Sequence, residues 1–271
     1  VKLRSPLALA AALALHASAG GAQTFGTRDA PSYASRQDFA IELRLGSFSE
    51  NIDGQLGLAG AGPFQQIFCS TRETNAAAGS TVTCPSRFRF GIEGDWQAVR
   101  LGPVGQLGIG ALASYGNASA NAPAASGMTS TDATTWRRTA QTTALHVVST
   151  AVFGVLRLDG LARRVPWFPL SPYAKAGLAL APWWVNSGED LARDPSGGDA
   201  LGLSQGFFLA GGLSVMLDAF EPGAARRWDQ VSGVNHSYLF FELSHAYLGG
   251  ITRRTLDVGG LSWNAGVNVE F

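Results

Sequence analysis

Charge is scarce in this sequence. Lys, Arg, Asp and Glu together make up 15% of the residues, where about a quarter is usual for a soluble domain. What charge there is balances, 20 basic against 20 acidic residues, so no global field draws the chain to nucleic acid, and none is expected as a partner. Cysteine is limited to Cys69 and Cys84, too few for a structural zinc site. After the first 25 residues no run of about 18 apolar residues occurs, which excludes a transmembrane helix from the rest of the chain. No glycine-rich phosphate or dinucleotide fingerprint follows a strand-like segment. The four histidines, His16, His146, His236 and His245, stand isolated, without metal-ligand spacing. No cofactor and no metal is expected.

What is present is alternation. From Leu261 to Phe271, Leu261, Trp263, Ala265, Val267, Val269 and Phe271 alternate with Ser262, Asn264, Gly266, Asn268 and Glu270. Strict period two with one apolar and one polar row marks a strand. At this length it spans a bilayer when tilted, with one row toward lipid and the other toward a lumen. The alternative is a half-buried strand closing a soluble β-sandwich. The aromatic Phe271, with Trp263, Val267 and Val269, resembles the terminal signal by which outer-membrane barrels meet their assembly machinery, so that machinery is an expected partner.

Seven more segments alternate: 38–48, 87–98, 105–115, 138–158, 170–184, 203–217 and 236–247. In the fourth, Leu145, Val147, Ala151, Phe153 and Val155 are placed outward. Its opposite face, with Ala144, Val148 and Val152, is not polar, and a buried helix competes there. Eight strands is an even number, as single-chain bacterial barrels require. Odd-numbered connections are longer than most intervening turns, as expected for long outer loops and short periplasmic turns. Residues 49–86 read as one long loop from their Asn, Asp-Gly and Gly-Pro chemistry. PGAARRWD (222–229) reads as one or two helical turns with an early proline. Tyr115, Trp183, Trp184, Tyr247 and Trp263 are assigned to an outer aromatic girdle, and Phe39, Trp96, Tyr238 and Phe271 to an inner one.

The fold expected is therefore all-β: an antiparallel up-and-down transmembrane barrel in the outer membrane of a Gram-negative bacterium. Lys2, Arg4 and the apolar Leu7–Leu15 stretch, followed by small residues, predict a signal peptide over 1–22. Residues 23–37 are a polar periplasmic lead and 38–271 the barrel. Export makes a Cys69–Cys84 disulfide the expected state. The segments AIELRLG (40–46), PYAKAGL (172–178) and GVNHSYLFFELS (233–244) resemble a family of outer-membrane β-barrels found in myxobacteria. The resemblance implies a barrel and brings no agreed activity.

Chemistry is thin. Ser244-His245 and His236-Ser237 are strand neighbours, and neighbours point to opposite faces, so neither pair forms a hydrolase dyad. No enzyme is expected. The inward rows hold charges of both signs. With Phe39 set level with Ala98, Arg44 falls opposite Glu93 and Glu42 near Asp95, with Lys175 and Glu242 at similar depth. An eight-stranded barrel is wide enough only for its own side chains, so these residues, helped by Arg89 and Tyr173, are expected to form an ion-pair plug. Three roles follow: a structural or surface-interaction barrel, a narrow channel, or a lipid-modifying enzyme. For Arg137-Arg138 and Arg253-Arg254, binding of lipopolysaccharide phosphates stands beside the plainer reading of solvated loop charge. Outer-membrane lipid is the remaining expected partner.

Overall fold

The computed structural model describes residues 38–48, 50–56, 62–73, 80–123, 138–160, 162, 168–193, 196–251 and 253–271. The predicted signal, the lead and Arg137 lie outside them. Eight strands close on themselves: β1 (Phe39–Ser47), β4 (Phe88–Arg100), β5 (Gln106–Pro123), β6 (Arg138–Arg157), β7 (Leu170–Ser187), β9 (Leu201–Met216), β10 (His236–Tyr247) and β11 (Gly260–Glu270). Each pairs antiparallel with its neighbour, and β11 returns to β1. Phe39 and Phe271 complete the seam by exchanging main-chain hydrogen bonds. The competing helix over 138–158 is thereby excluded.

The outside is apolar because alternation puts it there. Ile41, Leu43, Leu45, Phe90, Ile92, Ile109, Leu178, Leu209, Leu213, Leu239, Phe241 and Val267 are all exposed. A soluble domain does not present so continuous an apolar surface. Around a closed antiparallel barrel it is the face that meets lipid. Aromatic groups sit on this face at matching levels of neighbouring strands. Tyr115 stacks on His146 at 6.0 Å and His146 on Trp184 at 5.1 Å, while Trp263 meets Phe88 edge-on. Two residues assigned to the girdles point inward instead. Tyr238 is buried and donates to Glu270, and Trp183 packs against the interior cluster.

One strand has its faces reversed relative to expectation. In β6, Leu145, Val147, Ala151, Phe153 and Val155 are buried in the lumen, and Val152 faces out. Apolar residues occupy both faces of β6 because half of the lumen is itself apolar. These five pack with Leu112, Ala118, Ala179, Ala181 and Phe208.

The apolar half is closed by the first loop, which folds rather than meanders. It forms α1 (Ile52–Gln55), α2 (Pro63–Phe68) and a hairpin of β2 (Ser70–Glu73) with β3 (Ser80–Thr83). The residues that read as loop breakers are helix starts. Pro63 stands at the beginning of α2, and the Asp53 carboxylate accepts the Phe64 and Gln65 amides at 2.9 and 2.8 Å. Those amides have no partner within the helix, so the acid satisfies them and complements the helix dipole. A short β8 (Asp190–Leu191) extends the β7–β9 connection. The turn from β9 to β10 holds a single 3₁₀ turn (Leu217–Ala219) and α3 (Pro222–Ser232).

Candidate functional site

Among the described residues, unlike chemistries converge in the barrel interior. Seen from the end bearing the termini, its first layer is ionic. Glu42 on β1 and Glu242 on β10 are fully enclosed, with Glu93 and Asp95 on β4, Arg44 on β1, Arg157 at the end of β6 and Lys175 on β7. Lys175 Nζ lies 3.0 Å from Glu42, 2.5 Å from Glu93 and 3.0 Å from Glu242. Arg44 reaches Glu42 at 3.1 Å, Glu93 at 2.9 Å and Glu242 at 3.1 Å. Arg157 bridges Glu42, at 2.9 Å, and Asp95. Each cation touches at least two carboxylates, which is what buried charges need if they are to remain charged.

The register differs from the expected one by two residues. Phe39 pairs with Trp96, Glu42 with Glu93 and Arg44 with Gly91. A shift of two keeps every side chain on its own face, so the inward row is unchanged while the pairings move. Gly91 faces the crowded interior: a Cβ there would stand 2.7 Å from Ser114 Cβ and 3.2 Å from Arg44 Cγ. Arg44 meets Glu93 diagonally. Glu42 does not meet Asp95 across the pair; Arg157 joins them.

Of the expected members, Glu42, Arg44, Glu93, Asp95, Lys175 and Glu242 come together. Tyr173 is beside them as a ring, its centroid 4.8 Å from Lys175 Nζ and 5.7 Å from the Arg157 guanidinium carbon. This is cation–π geometry. Arg89 stands apart on the outer side, where its hydrogen bond goes to Ser244 Oγ at 3.4 Å.

Sequence reading missed Arg157, because the reversed assignment of β6 placed it outside. It also left unused the polar row of β11. Asn268 donates to Glu42 at 2.8 Å, Asn264 to Ser244 at 2.9 Å and Glu242 at 3.3 Å, and Glu270 accepts from Gln97 and Tyr238. That row was visible as Asn-x-x-x-Asn-x-Glu in strict alternation.

Glu42, Glu93 and Asp95 have oxygens within 4.8 Å of one another. The cations that meet this group are the ammonium and guanidinium groups of Lys175, Arg44 and Arg157.

The second layer is the apolar cap. Ile52, Phe64 and Phe68 are buried against the β5 and β6 residues beneath. The 248–259 segment stitches the cap down. Asn51 donates to Asp257 at 3.0 Å, Gln55 to the Thr255 carbonyl at 2.7 Å, and Arg254 to the Gln55 carbonyl at 3.1 Å. Arg254 is therefore engaged, whereas Arg253 is exposed. The side chain of Arg138 is outside the described set. Cys69 and Cys84 form a disulfide with a Cα–Cα separation of 4.3 Å. Arg87 donates to the Phe68 carbonyl and lies over the Phe64 and Phe68 rings. Glu50 beside it has neither carboxylate oxygen hydrogen-bonded. Burial pushes its carboxyl up to about 7, with Arg87 and Arg89 opposing.

The two histidine–serine neighbours take separate roles. His245 is exposed on the outer face while Ser244 is buried. At the terminus end, Asp218 accepts from His236 Nδ1 at 2.5 Å and from Ser237 Oγ at 3.0 Å. The acid holds both groups, and the geometry is a clasp rather than a relay. Burial works against the Asp218 charge, but the bonds from His236 and Ser237 win and hold its carboxyl below the usual range. Trp263 and Val267 are exposed on β11.

No protein-family model matches the chain, and no curated protein does. Among solved structures it is similar to the outer-membrane protein OprG from Pseudomonas aeruginosa, with TM-score 0.48 and 12% identity over 88% of this chain and 97% of that one. It is also similar to Neisserial surface protein A, with TM-score 0.40 and 14% identity over 86% and 97%. A third is Ail, the attachment invasion locus protein of Yersinia pestis, with TM-score 0.40 and 8% identity over 87% and 97%. At these identities the likeness concerns the fold.

Proposed function

We propose that the chain is an integral outer-membrane barrel of a Gram-negative bacterium whose lumen is closed, and whose working surface is the capped end. Its role is structural or surface-interacting, without catalysis, and its kinship is with the myxobacterial barrels it resembles in sequence. The single observation that carries this reading is the filled interior. An ionic layer occupies the half near the termini and an apolar layer under α1 and α2 occupies the other. A solute path would have to cross both. The outward row of β11, from Trp263 to Phe271, is the face offered to the assembly machinery and then to lipid.

Membrane fractionation with gel mobility before and after boiling tests the location. A band that shifts on boiling in the outer-membrane fraction supports it, and recovery in the soluble periplasmic fraction overturns it. Planar-bilayer recording tests closure. Little or no steady conductance is expected, and a stable, reproducible open state would replace this reading with a narrow channel.

A further inference from the structure

Helix α3 is not needed to close the barrel, yet it is built with care at the terminus end. Pro222 opens it, and Gly233, at φ 71, ends it in a left-handed cap. Ala225 and Asp229, four apart and thus on one face, are half-buried against the rest of the chain. Trp228 and Val231, three apart, point away and are 58% and 88% exposed, with Phe220 just ahead at 69%. Arg227 is exposed beside them, and the helix sequence carries two arginines against one aspartate.

Large apolar groups are otherwise exposed mainly on the lipid-facing strands. At this same end Leu101, Val104 and Leu158 of the other two turns are also exposed, so the apolar belt continues onto the rim where α3 sits. The Asp218 clasp ties the start of this turn to the first residues of β10. It holds together the two flanks of the segment that carries α3. A helix with Trp on its apolar face and Arg beside it is the composition that lies flat in a membrane interface.

We propose that α3 lies in the headgroup layer of the periplasmic leaflet. Phe220, Trp228 and Val231 reach the acyl boundary, and Arg227 meets anionic phospholipid phosphates. This rests on the barrel reading above. The test uses the full chain with its disulfide intact, refolded in vesicles of phosphatidylcholine and phosphatidylglycerol. A nitroxide is placed at Val231→Cys, and Glu189→Cys serves as the water-exposed control. Collisions with oxygen should exceed those with a water-soluble nickel chelate at Val231 and not at Glu189. Arg227→Gln should lower the lipid-bound preference by roughly fivefold, the effect of one basic residue near an anionic surface.

Equal chelate access at both positions would overturn the proposal, since the helix would then stand in water. Shielding from oxygen and chelate alike would overturn it in favour of a protein contact such as a second copy. Boiling-dependent mobility of the same samples separates the two readings. If that shift is absent, the barrel fails first and the proposal with it. If it is present, the nitroxide result bears on α3 alone.

Discussion

Lys175 is the residue on which the ionic layer turns. Its ammonium meets three carboxylates from three strands. Breaking a buried ion pair from one side costs about 3–5 kcal/mol, mostly from the charge left behind. Lys175→Met should lower unfolding stability by that order, measured by urea titration in detergent or vesicles. Adding Glu93→Gln should return part of the loss, so that the double variant is better than the sum of the singles. Glu50 gives a second expectation. Its folded pKa is raised, to about 7, so the folded cap holds a proton more tightly than the unfolded chain does. The contribution is favourable below the ordinary carboxylate range and is lost as pH rises through about 7. Hydrogen-exchange protection over 50–56 and 62–69, corrected for the intrinsic base-catalysed rate, should therefore fall between about pH 5 and about pH 7, and Glu50→Gln should flatten that dependence. At this scale the inward charges of β1, β4, β7 and β10 were legible because alternation alone assigns them. Partners were not, since a pairing depends on register, and alternation is unchanged by a shift of two.

At the scale of elements, the eight strands were legible and the faces of one were not. β6 is apolar on both sides, and period two says which residues share a face without saying which face meets lipid. The deciding fact, that half of the lumen is lined and capped by apolar side chains, lies in the first loop, whose Asp53, Pro63 and short apolar turns are too brief for periodicity to register. The disulfide acts on that element. It closes a span of 15 in sequence, for which loop-closure entropy gives about 3 kcal/mol. The hydrogen bonds that tie α1 to residues 248–259 are separate from it. Reduction should therefore expose the β2–β3 hairpin to protease while the boiling-dependent mobility of the barrel persists. Loss of both together would show that cap and barrel unfold as one.

For the whole molecule the ionic and apolar layers lie one behind the other, and on the closed-lumen proposal either alone would block the path. Deleting 50–86 and bridging the gap with glycine and serine should remove the apolar lid and still leave the ionic layer shut, so planar bilayers should again record no steady current. A current that appears on deletion alone would mean that the salt bridges leak. The wall around these layers is uneven in height. β5 and β6 run 18 and 20 residues, whereas β1 has 9 and β11 has 11. About 9–11 residues suffice to cross a bilayer, and the ring stack of Tyr115, His146 and Trp184 marks where lipid gives way to headgroups. The eight residues of β5 beyond Tyr115 (116–123), at about 3.3 Å each, extend some 26 Å along the strand. Over that length β5 stays paired with β6, from Gly116 opposite Val147 to Pro123 opposite Arg138, so this part of the wall stands as a raised edge beyond the ring stack.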